Sequence, residues 1–108
     1  MIARSWHGRV QAHNADIYHE YLQRTGLADY QATSGCVGVL VQRWIEGDVA
    51  HFLLTTLWES EEAIRAFAGE DINVARYYPE DDVYLLEREP GVRHAEVLLA
   101  TLKHQYGM

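Results

Sequence analysis

His7 lies in an alternating segment, Ile2 to Val10, and histidine is the side chain whose ordinary titration falls closest to neutral pH, so it is a candidate to take or relay a substrate proton. Farther along the chain stand Trp58, Phe67, Arg76, Tyr77 and Tyr78. The aromatic rings can wall an apolar cavity, and Arg76 or the Tyr78 hydroxyl can hydrogen-bond a substrate oxygen. Each candidate also has a structural reading. A strand histidine serves as a hydrogen-bonded or interface residue, Trp58 and Phe67 serve as core, and the tyrosine pair packs one ring inward and one at the surface before Pro79. His51, Trp44 and Tyr84 read as interface residues.

Other chemistries find no support. Cys36 is the only cysteine, so no intrachain disulfide forms, and Ser34-Gly35-Cys36-Val37-Gly38 is not a nucleophile elbow. The six histidines include no i,i+4 pair, which argues against a dedicated metal site. Gly35 and Gly38 do not form a dinucleotide-binding fingerprint. Nine Lys and Arg against sixteen Asp and Glu give a net charge of −7, which would repel nucleic-acid phosphates. The longest apolar runs, Val37–Val41 and Phe52–Trp58, are too short to cross a bilayer, and Met1–His7 lacks a signal-peptide core. A cytoplasmic protein without membrane or nucleic-acid partners is expected.

The elements that must position these residues follow from periodicity. With 108 residues, 48% of them hydrophobic, the chain has the size and apolar content for one domain. We assign it to 1–99, with 100–108 as a mobile or partner-bound tail. A first strand covers Ile2–Val10, with Ile2, Trp6 and Val10 on one face and Ala3, Ser5, His7 and Arg9 on the other. Ile17, Tyr18, Tyr21 and Leu22 mark an amphipathic helix over about Ala12–Ala28, with Asn14 or Asp16 to cap it and Gly26 to end or bend it. Two strands follow, Val37–Ile45 and Val49–Trp58, joined at Glu46-Gly47-Asp48. Both faces of this hairpin are apolar, so each needs a cover. Ser60 caps a helix that Gly69 ends, and the pattern predicts a second helical piece over Asp71–Tyr77, a short strand over Val83–Glu87 and a last strand over Val92–Leu99. The order predicts an α+β fold of the ferredoxin-like split βαβ kind, an antiparallel sheet with two helices on one face. A second copy is the simplest cover for the other face.

The run Leu53-Leu54-Thr55-Thr56-Leu57-Trp58-Glu59-Ser60-Glu61-Glu62-Ala63, followed by Phe67, resembles the antibiotic-biosynthesis-monooxygenase-like family, within the dimeric α+β barrel superfamily. The similarity runs from the Ile2 strand to about Leu98. It implies a homodimer joined through its sheet faces, forming a dimeric α+β barrel, and a pocket between helices and sheet. The superfamily includes cofactor-free oxygenases of polyketide-type aromatic rings, quinol oxygenases, haem-degrading enzymes and proteins of no known activity. In the haem-degrading branch the resemblance places an Asn, a Trp and a haem-ligating His where this chain has His7, Phe67 and Tyr77. All three differ, which argues against haem.

The expectation is therefore a cofactor-independent monooxygenase acting on a small aromatic or polyketide-like molecule in an apolar pocket, with His7 catalytic and Trp58, Phe67, Arg76, Tyr77 and Tyr78 binding substrate. No cofactor or metal is expected. The alternative is a non-catalytic ligand-binding or structural module of the same fold, with haem binding through Tyr77 or His7 as a third reading.

Overall fold

Alternation carries directly into the sheet. In the computed structural model, which describes residues 1–103, β1 (Ile2–Gln11) lies antiparallel to β3 (Val49–Trp58), and β3 to β2 (Cys36–Glu46). β4 (Arg93–Glu96) pairs with the start of β1, giving the order β2-β3-β1-β4. This is the ferredoxin-like antiparallel arrangement, an open sheet with its helices on one face. Arg4, Trp6, Gly8 and Val10 of β1 and Ala50, Phe52, Leu54, Thr56 and Trp58 of β3 are buried beneath the helices. Ala3, Ser5, His7, Arg9, His51, Leu53, Thr55 and Leu57 take the opposite, half-exposed face.

The first helical segment is longer than its pattern and broken in three: a 3-10 turn at Ala12–Asn14, α1 at Ala15–Arg24 and α2 at Gly26–Ala32. The break falls at Thr25, whose hydroxyl donates to the Tyr21 carbonyl at 2.8 Å. Neither Asn14 nor Asp16 caps α1, and Asp16 instead accepts from Arg43 at 2.8 Å. α1 buries Tyr18, Tyr21 and Leu22, and α2 buries Tyr30. Gly35, at φ 93°, turns the chain into β2 where an added Cβ would come within 2.4 Å of Ala63. α3 (Glu61–Ala68) starts at Ser60, whose hydroxyl accepts from the Ala63 N–H at 3.2 Å, and buries Ile64 and Phe67.

After α3 the structure departs from the pattern. Asp71–Tyr77 is not helical. The Asp71 carboxylate accepts from the Asn73 N–H at 3.0 Å, Val74 bridges to Gly91, and the Ala75 N–H donates to the Pro90 carbonyl at 2.9 Å. A local side-chain acceptor and a distant strand-like partner together replace the helical hydrogen bonds. Val83–Glu87 is not a strand either: α4 (Asp81–Tyr84) is one helical turn, after which Leu85 bridges to Val10 and the Leu86 N–H donates to the Arg9 carbonyl at 2.9 Å. β4 covers only Arg93–Glu96 of the expected Val92–Leu99; beyond it a single further bond, from the Val97 N–H to the Met1 carbonyl at 3.1 Å, continues along β1. Of the expected tail, residues 100–103 are exposed without regular structure and 104–108 lie outside the described residues.

Candidate functional site

Between sheet and helices runs a seam lined by Arg4, Trp6, Tyr18, Tyr30, Arg76, Tyr78 and Asp81 among others. β1 supplies Arg4 and Trp6, and the Trp6 ring lies so close over Gly8 that an added Cβ there would meet it at 2.3 Å. α1 supplies Tyr18 and α2 supplies Tyr30. Arg76, Tyr78 and Asp81 come from the extended segment and the turn that follow α3. The cavity within it is about 20 Å³, room for one water. Aromatic contacts fill the remainder: Tyr30 lies 4.6 Å from Phe67, and Phe67 5.8 Å from Trp58, centroid to centroid.

Three ionisable groups give the seam its chemistry. Asp81 is 4% exposed, and its carboxylate accepts from the Tyr18 hydroxyl at 2.9 Å and the Tyr78 N–H at 2.7 Å. Burial pushes its pKa up, only partly offset by those two donors. Arg76 lies over the rings of Phe67 (4.8 Å) and Tyr78 (5.0 Å), donates to the Phe67 carbonyl at 2.9 Å and pairs with Asp29 at 3.2 Å. The Tyr78 hydroxyl donates to the same Asp29 at 2.6 Å. Arg4 is 2% exposed and has no ion-pair partner among the described residues; its Nη2 donates to the Val74 carbonyl at 3.0 Å. Burial lowers its pKa.

The residues singled out from the sequence divide between two faces. Arg76 and Tyr78 line the seam. Trp58 and Phe67 are fully packed core behind it, and the Trp58 indole donates to the Thr56 hydroxyl at 2.7 Å. Tyr77 stands at its rim: its hydroxyl accepts from the Trp6 indole at 3.3 Å and donates to the Glu89 carbonyl. His7 points to the opposite, helix-free face. There its Nδ1 meets Glu89 Oε2 at 2.5 Å and its Nε2 meets His51 Nδ1 at 2.9 Å, while His51 Nε2 meets Glu46 Oε1 at 2.8 Å. Trp44 stacks on His51 at 4.7 Å. His7 and Tyr77 thus share Glu89 as a neighbour, through its side chain and its backbone, but no cavity.

Sequence reasoning passed over Arg4, Asp81 and His94. Asp81 stands in Glu80-Asp81-Asp82, three successive acids whose pattern is that of a solvated loop. Arg4 shares the parity of Ile2, Trp6 and Val10, which was the available signal for a charge on the core face. His94 lies directly across from Arg4 in the β1–β4 ladder and lines a cleft of about 300 Å³ with Ile2, Glu61, Arg65, Asn73 and others.

No family model matches the chain, and neither does any curated protein. Solved structures do. A Bacillus cereus protein described as a candidate antibiotic biosynthesis monooxygenase superimposes with a TM-score of 0.59 at 16% identity, over 94% of this chain and 97% of its own. The heme-degrader MhuD of Mycobacterium tuberculosis, with two hemes in its active site, gives 0.60 at 21% identity over 94% and 99%. A single-residue variant of MhuD with two manganese protoporphyrins per active site gives 0.58 at 20% identity over 95% and 100%. These likenesses show the fold: it is that of antibiotic-biosynthesis-monooxygenase-like proteins, as the resemblance of Leu53–Ala63 and Phe67 implied.

Proposed function

We propose that the chain is half of a homodimer that binds a small aromatic or polyketide-like molecule in the helix–sheet seam and oxidises it without a cofactor. The observation that carries this reading is Asp81, a buried carboxylate with a raised pKa, hydrogen-bonded to a tyrosine in an aromatic-walled cavity. Tyr18 relays the substrate proton: its oxygen accepts from a ring methylene while its own hydrogen passes to Asp81 Oδ1. The carbanion donates electrons to dioxygen and a C–O bond forms; loss of water leaves a carbonyl. The balance is CH₂ + O₂ → C=O + H₂O, with no outside reductant. Arg76, beside Tyr78, holds the substrate oxygen on which charge develops. Trp58 and Phe67 back the wall, and Tyr77 fixes Trp6 at its rim. Asp81 takes the role the sequence suggested for His7, because the His7 ring lies on the other face.

Since the cavity holds one water, a ring enters only when a wall moves. Arg76 and Tyr78 belong to a stretch, 75–78, that has neither helix nor strand pairing, and form the wall that moves. Haem stays out of the proposal: the seam is far smaller than a porphyrin, both His7 ring nitrogens are engaged on the opposite face, and the Tyr77 hydroxyl is committed to Trp6 and Glu89.

The dimer reading rests on β2. This edge strand exposes Val37, Val39, Leu40, Trp44 and Ile45, and a groove of about 440 Å³ runs past Val39, Leu40 and Leu57. No helix among the described residues is long and apolar enough to cross a membrane. The filled seam favours a second reading, a dimeric module without catalysis. Oxygen uptake with aromatic diols and anthrone-like compounds separates the two. Wild type and His7→Ala should consume oxygen, and Asp81→Asn should be slower by about 100-fold or more. No uptake with any compound, or equal rates in Asp81→Asn, overturns the catalytic reading.

A further inference from the structure

Two buried side-chain nitrogens have no hydrogen-bond partner among the described residues: Arg4 Nε and His94 Nε2. They belong to residues directly paired across β1 and β4, whose side chains share the helix-covered face. Unpaired buried polar atoms are costly, and a buried unpaired charge costs more, so two at neighbouring positions mark a place where something else completes the bonding. Glu61 shares the cleft with His94 and faces Arg65 at 3.9 Å, and two further acids are committed elsewhere. Asp29 serves Arg76 and Tyr78, and Asp81 serves Tyr18 and the Tyr78 backbone. The positive charge at Arg4 is also felt across the pair, since it helps depress the His94 pKa, second to burial.

Arg4 lines the narrow seam and His94 lines the cleft of about 300 Å³ beside α3 and the segment after it, so the pair stands between the two spaces. A cleft of that volume is large enough for a small ligand, whereas the seam alone is not. Its mouth carries Glu61, Glu70 and Asp71 against Arg65, and the chain as a whole is acidic, so overall charge does not draw an anion in. Any preference for one must come from Arg4 and His94 themselves.

We infer that the ligand carries an oxyanion, a carboxylate or an acidic phenolate, that is held between Arg4 and His94 with its ring toward Trp6. The inference rests on the helix–sheet site proposed above and narrows its ligand to aromatic acids. A carboxylate has two oxygens, one for each unpartnered nitrogen, and a charged hydrogen bond to guanidinium is among the stronger ones available. Arg4 is then a binding residue and not an unexplained cost to the core.

The test compares benzoate with its neutral isostere benzamide by calorimetry on the full chain, with the ¹⁵N resonance of Arg4 Nε–H followed in parallel. Benzoate should bind about tenfold or more tightly than benzamide and shift that resonance. Arg4→Met should erase the preference, and Arg4→Lys should keep part of it. Should Arg4→Met fail to fold, the wild-type isostere pair and the Arg4 resonance decide the matter. Equal affinity for the two compounds, or an Arg4 resonance that stays still, overturns the inference. If aromatic diols bind but charge makes no difference, only the inference falls. If acetate shifts Arg4 Nε–H and no aromatic compound binds, both the inference of an aromatic acid and the aromatic-ligand reading fall. Binding by none of them overturns both, and the pair then holds only water.

Discussion

His94 shows how a single residue connects site chemistry to stability. Burial first, and the positive charge of Arg4 second, lower its pKa below 6.5 in the folded chain. The unfolded chain therefore binds that proton at higher pH than the native one does. Stability is complete above about 6.5 and declines as pH falls through the native pKa, because the unfolded state takes up more protons in that window. His94→Gln should flatten this dependence, measured as the urea midpoint across pH 4.5 to 7.5 (about two units below and one above the ordinary value); an unchanged slope would show that His94 does not supply it. The same residue illustrates what the sequence concealed. His7 drew attention as a histidine on an alternating strand, but strand parity sent it to the helix-free face. Arg4 and His94 reached the core face by the same rule and looked like ordinary surface charges, since their significance arises only when β4 docks on β1, some ninety residues later in the chain.

Among the elements, α3 was fully legible and the segment after it was not. Ser60-Glu61-Glu62 specifies its helix start locally, through a hydroxyl that accepts the Ala63 N–H and two acids beside the positive end of the dipole. Ser60→Ala should cost about 1 kcal/mol in chemical denaturation, with little change in the rest of the fold; a loss below a few tenths would mean that the cap is redundant. Asp71–Tyr77 has helical spacing too, with Ile72 and Ala75 inward, but its backbone is claimed by Asp71 nearby and by Pro90 and Gly91 at a distance. Local pattern could not reveal those distant partners. Because this segment is extended, Arg76 and Tyr78 reach the seam and Tyr77 reaches its rim, so the misread element is also the one that shapes the site.

For the whole molecule, the two-sided apolar hairpin was the sequence's best long-range clue. One face of β3 packs under the helices, while β2 remains exposed along most of its eleven residues. An uncovered apolar edge of that length invites a second copy. Sedimentation should find a dimer at micromolar concentration, and Leu40→Glu with Trp44→Glu should give a folded monomer; a wild-type monomer, or a double variant that still dimerises, would contradict the interface.

The central claim is that ligand chemistry takes place between helices and sheet and not on the face that carries His7. The tryptophans report on both: Trp6 lines the seam, and Trp44 stacks on His51 across the sheet. Titration of the ¹⁵N-labelled protein with an aromatic diol, following the indole N–H resonances, should shift Trp6 and leave Trp44 in place. A shift of Trp44 with Trp6 unmoved would put the ligand on the other face and contradict the account.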